Sequence, residues 1–143
     1  MARGIKNPFA RTRDDHALET AADYVELILR LTESEGEARA VRIAEILGVS
    51  PVTVSKTVQR LQRDGFVVAK PYRSVFLTPE GEALAERFRE RHQTVLEFLQ
   101  LLGVPPAVAE TDSEGIEHHV SDVTLQAIRR FIRSENKTRK KTS

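Results

Sequence analysis

Apolar and polar positions along the chain fall into segments of distinct period. From about His16 to Ser34, the residues Leu18, Ala21, Val25, Ile28, Leu29 and Leu31 recur at helical spacing, and Gly36 follows just past the end. Val41 to Leu47 predicts a short apolar helix that Gly48 breaks. Ser50 and Pro51 are a cap and a first-position proline, after which Val54, Val58 and Leu61 mark the buried side of the next helix. Thr53, Lys56, Thr57, Gln59, Arg60 and Arg63 then face outward. A short helix, a tight turn and a second helix with a polar, basic outer face is the helix-turn-helix arrangement, whose second helix enters a major groove. Phe66 to Leu77 supplies two short β-branched and aromatic runs around Lys70-Pro71-Tyr72-Arg73, the hairpin of a wing.

Thr78 and Pro79 cap a helix that runs to about Leu102, with Leu84, Phe88, Val95, Leu99 and Leu102 on one stripe and Gly103 at its end. His92 lies four after Phe88 and three before Val95, so it faces inward. A lone inward histidine is ordinarily a satisfied core residue, but the interior is also where a ligand shared between helices must point. Pro105 and Pro106 open the next helix, and Ser121 caps the last, whose apolar residues are Val123, Leu125, Ile128, Phe131 and Ile132. These later helices carry more apolar surface than they can cover by themselves, which points to self-association. The expected organisation is a basic, disordered arm over 1–14, a winged helix-turn-helix over 15–78, a helical domain over 79–135 and a disordered basic tail over 136–143.

Charge sharpens this picture. The formal net charge of the 143 residues is only +1, yet residues 49–73 hold five cations against Asp64, a net of +4. Residues 80–126 hold ten acids against Arg87, Arg89 and Arg91, a net of −7. The middle is suited to an anion and the later part to a cation. There is no cysteine, which excludes disulfides, thiolate metal sites and cysteine nucleophiles. No apolar run reaches the length of a membrane span and no signal-peptide core is present, so the expected location is the cytoplasm, with no membrane partner. Phosphate-binding glycine loops and nucleophile elbows are missing, and a hydrolase using paired metals on acids and histidines would leave a DNA reader in the same chain unexplained, so neither an enzyme nor an organic cofactor is expected.

The acidic part contains Glu114-Gly115-Ile116-Glu117-His118-His119. On a helix, Glu114, Glu117 and His118 fall at i, i+3 and i+4 and share a face able to hold a divalent cation. The competing reading is a solvated acidic face in which Thr111 and Glu114 form a capping box. Asp23 and Glu26, three apart beside the apolar stripe of the first helix, are either two further ligands or two surface acids favoured by the helix dipole.

Asp23-Tyr24-Val25-Glu26, the winged helix with Ser50-Pro51, Arg91-His92, Leu102-Gly103-Val104 and Glu114 to His119 together resemble the manganese transport regulators, the short branch of the diphtheria toxin repressor family. The resemblance spans about residues 18–132. It implies a mainly α fold, with an N-terminal winged helix-turn-helix DNA-binding domain followed by an all-helical metal-binding and dimerisation domain. It further implies that Asp23, Glu26, His92, Glu114, Glu117 and His118 bind a pair of metal ions, two Mn2+ per subunit, with other divalent metals possible in vitro. The iron-responsive branch places sulfur ligands where Asp23 and Glu114 stand. Four carboxylates and two imidazoles form an oxygen-rich set that suits manganese. The expected function is a manganese-responsive repressor of uptake genes that binds double-stranded, palindromic operator DNA as a homodimer. Ser50, Pro51, Thr53, Lys56 and Thr57 are expected near bases or adjacent phosphates, and Arg60 and Arg73 on the backbone. The alternatives are an iron- or zinc-responsive repressor of the same family and a winged helix regulator sensing a small organic ligand.

Overall fold

The computed structural model describes residues 8–70 and 74–142, with side chains described for 16–70 and 74–141. The chain divides into two compact units, residues 1–86 and 87–143. In the first, α1 (Pro8–Glu35), α2 (Ala40–Leu47) and α3 (Pro51–Arg63) precede a two-stranded antiparallel sheet of β1 (Val67–Ala69) and β2 (Val75–Leu77). The pairing Val67 with Leu77, Val68 with Phe76 and Ala69 with Val75 puts Val67 and Val75 inward on the core and Val68 and Phe76 outward. Their neighbours in the core are Tyr24, Ile28 and Leu31 of α1, Ile43 of α2, and Val54, Val58 and Leu61 of α3. This is the winged helix that the periodicity predicts.

Local chemistry sets the boundaries. Gly48, left-handed at φ 67°, ends α2, a conformation that costs an L side chain and suits glycine. Ser50 accepts a hydrogen bond from the Thr53 amide at 3.1 Å, and Pro51 fills the first helical position, so α3 starts where the cap predicts. The Val75 amide donates to the Ala38 carbonyl at 2.7 Å and the Ser74 hydroxyl to Glu37 at 2.7 Å, fastening the wing to the link before α2. Thr78 accepts from the Gly81 amide at 3.1 Å at the start of α4 (Pro79–Leu101). A Cβ on Gly81 would lie 2.1 Å from the Phe66 carbonyl oxygen, so only glycine lets the backbones approach this closely.

The second unit holds the remainder of α4 together with α5 (Pro106–His119) and α6 (Asp122–Thr142). Phe88, Val95, Ala109, Leu125 and Ile132 are buried, and the rings of Phe98 and Phe131 meet edge to face at 5.7 Å. The Ser121 hydroxyl accepts from the Thr124 amide at 3.2 Å and caps α6 as expected.

Both terminal helices reach further than the periodicity suggests. α1 begins at Pro8, inside the segment expected to be an arm; proline at the first helical position is preorganised for a helix. The rest of that arm, with Arg3 and Lys6, lies outside the described residues. α6 continues to Thr142 through the segment expected to be a disordered tail. Its last turn carries Arg139, Lys140 and Lys141, which complement the negative end of the helix dipole.

Candidate metal centre and nucleic-acid interface

Within the second unit, consecutive residues of α4 hold one residue of α5. Arg91 is buried, and its guanidinium donates to the Glu117 carbonyl from Nε at 3.0 Å and from Nη2 at 2.7 Å. It donates also to the Val120 carbonyl and, at 3.0 Å, to Asp122 Oδ1. The carbonyls at a helix C-terminus have no partner in their own helix, so Arg91 satisfies the end of α5 and pins the start of α6. Burial depresses the Arg91 pKa, against the opposing pull of Asp122. It remains a cation in a position where only its bonds offset desolvation.

The next residue, His92, grips the Glu117 side chain. Its Nδ1 lies 2.7 Å from Glu117 Oε2, and its Nε2 lies 2.8 Å from Glu110 Oε1. Glu117 is 3% exposed, and its other oxygen lies 3.4 Å from His118 Nε2. The His118 ring stacks on Phe88 at 5.2 Å, and the Arg91 guanidinium lies 5.5 Å from the centre of the same phenyl ring. Burial pulls the His92 pKa down, but the hydrogen bonds and charges of Glu110 and Glu117 outweigh it and hold the pKa above the ordinary 6.5.

The structure therefore brings together three of the six expected ligands, His92, Glu117 and His118. Glu114 is exposed on α5, one turn before Glu117. Glu110, which the sequence does not single out, takes the second nitrogen of His92. Its signal is the two-turn spacing from Glu117, which sets both carboxylates along one side of α5. The alternative capping box is not formed: α5 begins at Pro106, and the Thr111 hydroxyl inside it bonds back to Ala107 at 3.2 Å. Asp23 and Glu26 belong to the first unit, Asp23 exposed and Glu26 half-buried with Oε1 shut off from solvent.

Among the described residues, no three acids or histidines converge in a ligating arrangement. At 2.7 Å, His92 Nδ1 and Glu117 Oε2 are hydrogen-bonded to each other. The donor set nevertheless fits a divalent cation, because a buried carboxylate with an imidazole at each oxygen offers nitrogen and oxygen donors of the kind that hold manganese, iron or zinc.

The first unit presents a different chemistry. Ser50, Pro51, Thr53, Lys56 and Arg60 are exposed along α3, and Thr57 is half-buried. Val52, 63% exposed beside them, is a surface residue that periodicity alone does not pick out. It is the apolar residue of α3 that departs from the Val54, Val58, Leu61 stripe, and such a side chain suits a thymine methyl group. Lys70 is exposed at the end of β1, while Arg73 lies outside the described residues.

Two models of one family match consecutive parts of the chain. Residues 16–75 match the iron dependent repressor N-terminal DNA binding domain, and residues 78–138 match the iron dependent repressor metal binding and dimerisation domain. The chain belongs to the iron dependent repressor family. Among relatives of this repressor family, the transcriptional regulator MntR of Salmonella typhimurium is 53% identical over 123 residues, covering 86% of this chain and 78% of that protein. Among solved structures, a manganese-dependent transcriptional repressor in complex with manganese is similar at a TM-score of 0.71 and 30% identity, covering 78% of this chain and 52% of that one. The manganese regulator SloR is similar at a TM-score of 0.69 and 28% identity, covering 79% and 53%. The chain thus spans about half the length of these solved repressors. As a family member it is a DNA-binding regulator with a metal-binding and dimerisation domain, and not an enzyme. No helix among its described residues is long and apolar enough to cross a membrane.

Proposed function

We propose that this protein is a manganese-responsive repressor in the cytoplasm that binds a near-palindromic operator as a homodimer when loaded with metal. The observation that carries the reading is the buried Glu117 carboxylate between His92 and His118, in a chain whose α3 exposes a polar, basic surface. The names of its relatives, a manganese-dependent repressor and a manganese regulator among them, support the choice of metal. So does the donor chemistry, which contains no thiolate. The proposed ligands are Asp23, Glu26, His92, Glu114, Glu117 and His118, holding two Mn2+ per subunit. Asp23 and Glu114 are exposed on α1 and α5, where solvent and ions reach them. Bound metal supplies the positive charge that holds mutually repelling carboxylates together, each close pair otherwise costing on the order of 4 kcal/mol at about 4 Å and an effective dielectric near 20.

On the DNA side, Ser50, Pro51, Thr53, Lys56 and Thr57 are proposed to meet bases or neighbouring phosphates, and Arg60 and Arg73 to contact the backbone. A symmetric dimer presents two such helices to major grooves about 34 Å, or a multiple of that, apart. Repression of manganese uptake genes is the outcome. The deciding experiment is a joint titration of metal binding and operator affinity with manganese, iron and zinc. Two Mn2+ per subunit and the strongest operator binding with manganese are expected. Full response to zinc or iron with none to manganese would overturn the metal assignment, and operator affinity indifferent to any metal would overturn the switch.

A further inference from the structure

Residues 129–141 of α6 carry Arg129, Arg130, Arg133, Lys137, Arg139, Lys140 and Lys141 against Glu135 alone, a net of +6 within 13 residues. The last large apolar residue is Ile132, and from Arg133 to Thr142 the helix has none, so nearly three turns are held with no core of their own. Arg130, Arg133, Lys137, Lys140 and Lys141 follow one another at spacings of three, four, three and one, which groups them along one side of the helix, and all are exposed. Arg129 points elsewhere, toward the Thr94 hydroxyl at 3.5 Å.

The composition of this segment narrows the partner. A helix that lies in a lipid interface needs a wide apolar face, and one that docks in a protein groove needs apolar anchors at i, i+3, i+4 and i+7. Residues 133–142 have neither. Single-stranded nucleic acid is gripped by aromatic side chains on which bases stack, and no aromatic residue follows Phe131. What remains is a row of cations about 16 Å long, matched to a regular polyanion carrying a charge every ~1.7 Å of its axis. Like charges three and four apart also repel within the helix, by a few tenths of a kcal/mol per pair, and a polyanion removes that penalty.

We infer that the basic face of α6, from Arg130 to Lys141, is a second and sequence-independent binding surface for the phosphates of duplex DNA, additional to the reading surface of α3. The inference rests on the proposed DNA-binding function but not on the identity of the metal. It is tested with the full chain and with a variant carrying Arg133→Gln, Lys137→Gln, Lys140→Gln and Lys141→Gln, since glutamine keeps helix propensity while removing charge. Affinity is measured across a salt series with manganese, on an operator duplex extending well beyond the palindrome. The plot of log affinity against log salt should flatten by about 0.9 for each phosphate that is no longer neutralised, roughly 2 to 4 per subunit. The ratio of affinities with and without manganese should be unchanged. An unaltered slope in a variant of unchanged helicity overturns the inference, as does a change seen on single-stranded RNA but not on the duplex. If the unmodified chain ignores manganese, the proposed function fails, and the same comparison on non-operator duplex without metal still decides this one.

Discussion

Glu117 places a carboxylate where a protein interior would ordinarily refuse one, and two imidazoles make that tolerable. Glu117→Gln keeps the shape but removes the charge, so manganese affinity should fall at least tenfold, about 1.4 kcal/mol. Isothermal titration measures this, and circular dichroism checks that the helices persist. His92 adds a pH dependence. Its pKa is raised in the folded chain, so in metal-free protein it contributes stability that is complete below 6.5 and is lost as pH rises through the raised value. Denaturant melts of metal-free protein should therefore show stability falling over that window, and His92→Gln should remove the fall. Metal must displace the same proton, so manganese affinity should rise as pH rises through that window and binding should release protons into the buffer. His92 was legible in sequence as an inward residue because Phe88 and Val95 fix its side of α4. Its choice of Glu110 was not, since that depends on the register of α4 against α5, which no local pattern encodes.

Single substitutions test how the elements are held. Arg91→Ala should cost about 3 kcal/mol, because it strands the Glu117 carbonyl of α5 and the Val120 carbonyl just after it and leaves Asp122 without its 3.0 Å cation. Thermal melts read this loss, and Arg91→Lys should recover only part of it, lacking the fork that reaches several acceptors. Gly81→Ala drives a methyl group into the Phe66 carbonyl and should cost about 2–3 kcal/mol, even though alanine is the better helix former. Helix starts at Pro51, Pro79 and Asp122 were legible because Ser50, Thr78 and Ser121 advertise themselves as caps just before them. The reach of α1 and α6 was not, since the basic runs at both ends lack an apolar stripe and read equally well as coil. Burial of Arg91 was equally hidden, because composition reveals a charge but not the carbonyls that will surround it.

Viewed whole, the charge asymmetry along the sequence follows the two units, with the basic helix α3 in the first and the cluster of His92, Glu117 and His118 in the second. The second unit leaves Leu102, Val108, Ile116, Val123 and Phe131 exposed. Such a display is covered in a chain whose family domain is one of dimerisation. Ile116→Glu should accordingly shift sedimentation toward the monomer and weaken operator binding, while manganese binding by the isolated subunit persists. The way α4 holds α5 has a consequence for timing. Arg91 anchors the main chain of Glu117 while its neighbour His92 touches only the carboxylate, so the charged tip can turn without unwinding any helix. Exposed side chains change rotamer within nanoseconds and one as buried as Glu117 waits on its neighbours, but neither motion needs the microseconds or longer of a helix rearrangement. On the proposed function, capture of an ion at this carboxylate then asks for no change of helix, leaving the larger rearrangements to assembly on DNA.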